Sequence, residues 1–169
     1  MEITLDLLLA SRDRRWQHKR ELLEKHPDLS LVCLTVVMPG NVKRNDLSLA
    51  VARAAVQAVN DTFGDKVAKL EQCDLETGFE AYILLHTPLR EAKAAVCRIE
   101  ETHPLGRLFD LDVIRRDGTP VTREEIGLEP RRCIICGNEA RYCMRNHTHS
   151  TEELQQRIAQ MVNEYVQRV

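Results

Sequence analysis

The sequence has few aromatic residues, no long apolar run and no excess of charge of one sign. Aromatic side chains make up 4% of the 169 residues, which argues against a stacking surface for single-stranded nucleic acid. The net charge of −2 argues against a surface that binds nucleic acid through its phosphates. The longest apolar run, residues 31–38, is too short to span a membrane. We therefore expect a protein that binds neither nucleic acid nor membranes.

Signals for export and for several common enzyme classes are also missing. The first ten residues carry two acids and no basic segment, so we expect no secretory signal peptide. Six cysteines without such a signal fit the reducing cytoplasm, which is the predicted location. The sequence contains neither a Walker phosphate-binding motif nor a Gly-x-Ser-x-Gly nucleophile motif. Nucleotide hydrolysis on a Walker loop and serine-hydrolase chemistry are therefore not expected.

The apolar pattern predicts an α+β fold in a single domain spanning residues 1–169. Its predicted parts are an N-terminal helix (1–30), an α/β core (31–115), an irregular Cys/His segment (116–149) and a C-terminal helix (150–169). The core is predicted as strand 31–37, helix 46–63, strands 67–73 and 79–86, a helix capped by Thr87, and strand 108–114. This β-α-β-β-α-β order is typical of a ferredoxin-like sheet, with a mixed sheet of the nucleotidyltransferase type as the alternative. We expect its helices on one side, leaving the other side open.

Two aspartates in the last strand are the first candidate for chemistry. Side chains alternate between the faces of a strand, so Asp110 and Asp112 share one face while apolar residues fill the other. Two carboxylates on one face repel each other unless a cation lies between them, and Mg²⁺ prefers such oxygen ligands. The alternative interpretation is a pair of solvated acids on an open sheet. Arg107 and Arg115 flank the strand and suit phosphate, or form a surface ion-pair network.

Basic residues also follow the first strand. The segment from Gly40 to Lys43 and Arg44 leads into helix 46–63, where backbone amides and the helix dipole attract anions. The alternative is an ordinary turn with solvated basic side chains. His103 is either a general base or phosphate contact, or a structural group at a helix end. The basic N-terminal helix is most simply explained as a solvated face.

A cluster of sulfur and imidazole ligands lies near the C-terminus. Cys133, Cys136 and Cys143 are followed by His147 and His149, which offers a Cys₃His set for a structural zinc ion. The spacing between the second and third cysteines is uncommon for a zinc finger. Three reduced thiols in a loop are therefore the alternative interpretation.

Several of these segments together resemble one enzyme family. The matching motifs are Pro39-Gly40-x-Val42-Lys43, His103-Pro104-Leu105-Gly106-Arg107-Leu108-x-Asp110-x-Asp112-Val113, and Arg132-Cys133-x2-Cys136 with Ala140, Cys143, Arg145, His149 and Ser150. This pattern resembles the citrate lyase holo-[acyl carrier protein] synthases, the apo-citrate lyase phosphoribosyl-dephospho-CoA transferases. The resemblance runs over most of the chain, and its second motif is the most specific.

The resemblance implies a transfer reaction of the nucleotidyltransferase type. The donor would be 2′-(5″-triphosphoribosyl)-3′-dephospho-CoA, and the acceptor a serine on the acyl carrier (gamma) subunit of citrate lyase. The product would be a phosphodiester, with pyrophosphate released. Asp110 and Asp112 would hold Mg²⁺, and Arg107 and Lys43 would hold the triphosphate.

The remaining assignments complete the predicted site. Arg44, Gly40 and Arg115 are predicted to bind substrate with Lys43, and His103 is a candidate base. His149 is preferred to His147 in the zinc set, because it falls on the family pattern. The alternatives are a transferase for the carrier of malonate decarboxylase, and a non-catalytic zinc-stabilised ferredoxin-like module that binds RNA or a protein.

Overall fold

The protein consists of one sheet with helices packed on both faces. The computed structural model describes residues 2–168; Met1 and Val169, which belong to the predicted terminal segments, lie outside the described residues. The helices are α1 (Leu5–Lys25), α2 (Asp46–Phe63), α3 (Leu89–Thr102), α4 (Ala140–Arg145) and α5 (Thr151–Val166). The strands are β1 (Ser30–Val36), β2 (Val67–Leu75), β3 (Gly78–Leu85) and β4 (Phe109–Ile114). Among residues 2–168, no helix has the length and apolar character needed to cross a membrane.

The sheet has the strand order β2-β3-β1-β4, and each neighbouring pair is antiparallel. The tight β2–β3 hairpin reverses the chain, and each helical crossover then skips one strand. Strands that run in the same direction are therefore always separated by one that runs the other way. This arrangement confirms the predicted ferredoxin-like order. The mixed-sheet alternative is wrong, because no parallel pair occurs among the strands of the described residues.

Local capping signals set most helix ends as predicted. Helix α2 follows a capping box between Asn45 and Ser48, and α5 follows a capping box between Ser150 and Glu153. Helix α3 differs from the prediction, because Pro88 rather than Thr87 occupies the N-cap position. Pro88 has an extended ψ of 145°, so helical geometry begins only at the next residue.

The main hydrophobic core lies between the sheet and the helices α2, α3 and α5. From β4 it takes Phe109, Leu111 and Val113, all of which are at most 1% exposed. From α5 it takes Ile158 and Val162, so one apolar face of the C-terminal helix docks on the core. Burial of alternate β4 residues on this side directs the intervening ones to the other face.

Helix α1 crosses the opposite face of the sheet, which the sequence led us to expect open. Its C-terminal half carries Leu22 and Leu23. They pack in a second core cluster with Leu31, Tyr82, Leu84 and Ile114. Burial of these apolar side chains holds that half of α1 close to the sheet. The sheet is therefore covered on both faces, and the aspartates of β4 lie near a helix.

The free edge of β4 has hydrogen-bond partners along its length. The Leu111 N–H donates to Glu100 Oε1 at 3.0 Å, and the Phe109 carbonyl accepts from Arg131 at 2.8 Å. The Val113 carbonyl accepts from the Val121 N–H at 2.8 Å. Side chains and a following loop thus replace the missing neighbour strand at this edge.

Candidate active site and metal centre

Asp110 and Asp112 share the sheet face that α1 covers. Both are partly buried, whereas the residues that alternate with them on β4 are fully buried in the main core. In the antiparallel register Asp110 lies opposite Thr35 and Asp112 lies opposite Cys33 on β1. The sequence-predicted alternation is therefore the observed one, and it puts two carboxylates on one face.

Asp110 is the better-solvated and better-paired carboxylate. Its side chain is 45% exposed, and its Oδ2 accepts a hydrogen bond from Thr35 Oγ1 at 3.2 Å. Its Oδ1 is paired with Arg131 Nη1 at 3.3 Å. The other Arg131 nitrogen donates to the carbonyls of Arg107 and Phe109 at 3.0 and 2.8 Å. Arg131 is thus fixed at the start of β4 and restrains Asp110 there.

Asp112 lies deeper in a less polar environment. Burial, followed by the neighbouring charge of Asp110, raises the pKa of the Asp112 carboxyl. Burial also raises the pKa of the Cys33 thiol to about 12, so that this neighbour is protonated at neutral pH. Burial and the charge of Asp110 therefore disfavour ionisation of Asp112. A bound cation would offset both effects, because it favours the charged carboxylate.

The two carboxylates line a cleft between α1 and the sheet. The cleft has a volume of about 540 Å³. From α1 its lining includes the cations Arg12, Arg15 and Lys19, opposite Asp110 and Asp112. Carboxylates and cations in one cleft can together bind a polyanion with its metal ion, because the acids hold the metal and the cations hold anionic oxygens. A larger cavity, of about 780 Å³, lies at the other end of the sheet and includes neither aspartate.

A buried glutamate ties α1 to the sheet beside this cleft. Glu80 on β3 is 3% exposed, and its Oε1 accepts hydrogen bonds from Ser11 Oγ at 3.3 Å and from Arg14 at 3.0 Å. Its Oε2 accepts from Tyr82 Oη at 2.9 Å. Burial, with the charge of Glu80 next, raises the pKa of the Tyr82 hydroxyl, which keeps it a donor. These bonds set the position of the N-terminal half of α1 and hence the width of the cleft.

The predicted phosphate-binding turn lies at the end of the sheet where β1 finishes and β4 begins. Lys43 Nζ donates to the Met38 carbonyl at 2.6 Å, and burial lowers the pKa of this ammonium group. Arg44 forms a two-pronged pair with Asp74 at 2.7 and 2.8 Å. Gly40 has φ +84°, a conformation that suits glycine, and it lies against the start of α5. The turn is close to the start of β4 but already has internal partners.

The other predicted site residues are distributed over both ends of β4. Arg107 precedes Asp110, and burial, then repulsion from Arg131, lowers the pKa of the Arg107 guanidinium. Arg115 is at the far end of β4, about 16 Å along the strand from Asp110. There its guanidinium pairs with Glu125 and donates to the Pro120 carbonyl. The structure thus places Arg107 just before β4, near Arg131, and places Arg115 near the other cavity.

His103 occupies the C-cap of α3 and packs against the aromatic rings of Phe109 and Tyr165. Its Nδ1 accepts a hydrogen bond from the Leu105 N–H at 3.0 Å, and burial lowers the pKa of the ring. Phe109 belongs to the main core, so His103 contacts the side of β4 opposite the carboxylates. These contacts stabilise a neutral imidazole with its proton on Nε2.

The predicted Cys₃His residues come together in space. The ligand atoms of Cys133, Cys136, Cys143 and His149 all lie within 4.8 Å of one another. His147 is not part of this cluster; it is the one described non-glycine residue with positive φ. The cluster can therefore hold a metal ion, and its donors are those that zinc prefers.

Several cleft residues were not identified from the sequence. The cations of α1 were interpreted as a solvated face, and Arg131 carried no motif of its own. Glu80 lies within a strand that is otherwise apolar. An acid in a buried strand is the one sequence signal that could have indicated a partner helix, because a buried carboxylate needs hydrogen-bond donors.

The fold and the cleft define the class of this protein: a ferredoxin-like α+β fold with two carboxylates beneath a basic helix. The family model described as "Apo-citrate lyase phosphoribosyl-dephospho-CoA transferase" matches residues 3–165. The chain belongs to this family of transferases, and it is an enzyme. The family confirms the resemblance stated above and excludes the non-catalytic module.

Curated relatives agree with this assignment. The chain is 37% identical over 169 residues to a "Probable apo-citrate lyase phosphoribosyl-dephospho-CoA transferase" of Vibrio cholerae serotype O1 (strain M66-2), covering 98% of this chain and 94% of the relative. It is 32% identical over 165 residues to an "Apo-citrate lyase phosphoribosyl-dephospho-CoA transferase" of Escherichia coli O1:K1 / APEC, covering 96% and 90%. These alignments span nearly the whole length of each relative.

Proposed function

We propose that the protein transfers the prosthetic group of 2′-(5″-triphosphoribosyl)-3′-dephospho-CoA to a serine of the acyl carrier (gamma) subunit of citrate lyase. The serine oxygen forms a bond to the α-phosphorus, the bond to pyrophosphate breaks, and the serine proton is released. The observation that carries the proposal is the cleft in which Asp110 and Asp112 face the cations of α1. Family membership supports the transfer itself.

The two aspartates are proposed to hold Mg²⁺. Their carboxylates are hard oxygen donors on one face, and the raised pKa of Asp112 marks a site that favours added positive charge. When bound, Mg²⁺ would neutralise phosphate oxygens of the donor and of the leaving pyrophosphate. Thr35 and Arg131 fix the orientation of Asp110, which reduces the reorganisation needed when the substrate binds.

Phosphate binding is proposed for cations around the cleft. Arg12, Arg15 and Lys19 line it, and Arg107 and Lys43 lie near the end of the sheet where β4 begins. Positioned cations can stabilise the charge that develops as pyrophosphate departs. Substrate binding by Gly40, Arg44 and Arg115 stays a prediction.

His103 as the base stays a prediction that one variant can test. Its Nδ1 already accepts the Leu105 N–H, so proton uptake there would require that bond to break. If His103 acts as a structural residue, His103→Gln should lower stability and leave the pH profile of kcat unchanged. Loss of the acidic limb of that profile would instead establish the base.

The proposal is tested by the mass of the carrier subunit after incubation with the donor, Mg²⁺ and the protein. We expect a gain equal to the whole prosthetic group, together with release of pyrophosphate. Asp110→Asn and Asp112→Asn should each abolish the gain while the circular dichroism spectrum is retained. An unmodified carrier with the wild-type protein, or full activity of either variant, would contradict the proposal.

A second pair of variants tests the basic helix. Lys19→Met removes a cation that lines the cleft, and we expect the KM for the donor to rise about tenfold with the loss of one charged contact. Arg20→Met is the matched control, because Arg20 pairs with Glu24 and stacks over Trp16. Equal KM values for the two variants would remove α1 from the binding site. Offering the malonate decarboxylase carrier in the same assay distinguishes the alternative acceptor.

A further inference from the structure

We propose that Cys133, Cys136, Cys143 and His149 bind one zinc ion, and that this metal centre holds Arg131 against Asp110. The centre would then position an acidic residue of the candidate active site rather than only stabilise a loop. The metal part of the inference stands on the cluster itself, whereas its link to catalysis rests on the proposed function.

The donor atoms fit a tetrahedral ion. Bonds of about 2.0–2.3 Å from zinc to nitrogen and sulfur place ligand atoms roughly 3.3–3.8 Å apart in a tetrahedron. The four ligand atoms lie within 4.8 Å of one another, and the sulfur atoms of Cys136 and Cys143 are 3.4 Å apart. His149 Nε2 is buried and has no hydrogen-bond partner. A metal ligand role fits a histidine that brings a ring nitrogen to three thiols and keeps a buried nitrogen without a partner.

The segment around the cluster has little apolar core of its own. Most of residues 131–149 are exposed or half-buried, and Cys143 is the one buried residue among them. Hydrogen bonds close a turn inside the segment, from the Cys133 N–H to the Asn138 carbonyl at 2.6 Å and from the Gly137 N–H to the Cys133 carbonyl at 3.2 Å. A bound ion would supply the cohesion that burial does not, as in small metal-dependent folds.

Arg131 connects this segment to the cleft. Its backbone carbonyl accepts the Ala140 N–H at 2.8 Å, inside the segment, while its guanidinium contacts Asp110 and two carbonyls at the start of β4. Arg131 is therefore held through its backbone by the segment that carries the metal ligands, and through its side chain by the candidate active site. Ordering the segment should keep the guanidinium beside Asp110, and loss of the metal should release it.

Linkage provides a test that does not depend on catalysis. If zinc favours the Arg131–Asp110 contact, then that contact must favour zinc by the same factor. Arg131→Met should therefore weaken zinc affinity by about fivefold or more, the lower end of typical coupling between sites. Arg132→Met is the matched control, because the neighbouring Arg132 is 59% exposed and pairs only loosely with Glu129 at 3.9 Å.

The experiment begins with zinc content in freshly reduced protein purified without chelators. We expect about one zinc per chain, as for a structural tetrahedral site. Cys136→Ser, at an exposed position, should lose the metal, whereas Cys73→Ser, outside the cluster, should keep it. Zinc affinity of wild-type protein, Arg131→Met, Arg132→Met and Asp110→Asn is then measured by competition with a chromogenic chelator.

Weaker binding in both Arg131→Met and Asp110→Asn, with Arg132→Met unchanged, supports the coupling. Equal affinity in all four proteins overturns it, and absence of zinc in the reduced wild-type protein overturns the metal centre. A disulfide between Cys136 and Cys143 in place of metal would appear as a loss of two titratable thiols and would also overturn it. Each of these results is obtained whether or not the carrier is modified, so failure of the transfer assay is a separate outcome.

Discussion

Replacing Arg123 by methionine should destabilise the protein by about 3–5 kcal/mol, the usual cost of leaving a buried charge without its partner. Arg123 donates to Glu100 Oε2 at 2.6 Å, and the side chains of the two residues are only 9% and 4% exposed. The other oxygen of Glu100 accepts the Leu111 N–H of β4. The glutamate cannot turn out to solvent without breaking that bond, so the substitution would leave its charge buried.

The effect is measured by urea denaturation monitored by circular dichroism. Total stabilities of such domains are about 5–15 kcal/mol, so the loss would move the midpoint strongly. The double variant Arg123→Met/Glu100→Gln should recover most of the loss, because glutamine is neutral and its carbonyl can still accept the Leu111 N–H. Arg115→Met, which breaks the exposed pair with Glu125, is the control and should change the midpoint little.

Two results would refute this reasoning. A loss below about 1 kcal/mol for Arg123→Met would mean that Glu100 finds solvent or another donor once the guanidinium is gone. A double variant no more stable than the single one would mean that the methionine side chain, and not the unpaired charge, causes the loss.

Three further predictions concern the glycine before β4, the inner aspartate and the anchor of α1. Gly106→Ala should lower the melting temperature by several degrees in a thermal scan, because a Cβ would lie 2.5 Å from the Glu100 carbonyl oxygen. Asp112→Asn should raise the free energy of unfolding more at pH 8 than at pH 4. The pKa of Asp112 is raised in the native state, so the native state binds the carboxyl proton more tightly than the unfolded state does. Wild-type stability therefore falls as pH rises from the unfolded pKa through the native pKa, and the asparagine variant lacks this loss. The pH dependence of urea midpoints checks this, and equal gains at both pH values would contradict it. Glu80→Gln should speed amide hydrogen exchange in the N-terminal half of α1 and leave β4 protected, because it removes the charge that holds Arg14. Unchanged exchange in α1 would refute the role of Glu80 in holding the helix on the sheet.

The parts of the site that could be predicted from sequence depend on local geometry. Alternation along one strand sufficed to put Asp110 and Asp112 on the same face, and no distant contact could alter that parity. The three cysteines of the metal cluster could also be identified as candidate ligands from their spacing, whereas the choice of His149 over His147 came from the family resemblance. The bounds of α2 followed from an apolar stripe and from Gly64, which ends the helix.

The parts that could not be predicted depend on contacts between distant segments. Helix α1 has a weak apolar stripe, and Ser11 in its N-terminal half is buried because its hydroxyl donates to Glu80, far along the chain. Arg131 reaches Asp110 from a segment without regular apolar spacing. Arg115 shows the opposite effect of an extended strand, because it is close to the acids in sequence but lies about 16 Å along the strand from Asp110.

The sealed edge of β4 has a consequence for how the enzyme meets other chains. A strand with unsatisfied amides and carbonyls is a template for addition of another strand, from a second molecule or from an extended segment of a protein substrate. At this edge Glu100 already accepts the Leu111 N–H, and Arg131 and the Val121 N–H already donate to the Phe109 and Val113 carbonyls. Under the proposed function, sheet extension beside the two aspartates is therefore not the expected route for the carrier protein, and its serine would enter as a projecting side chain over the face of the sheet.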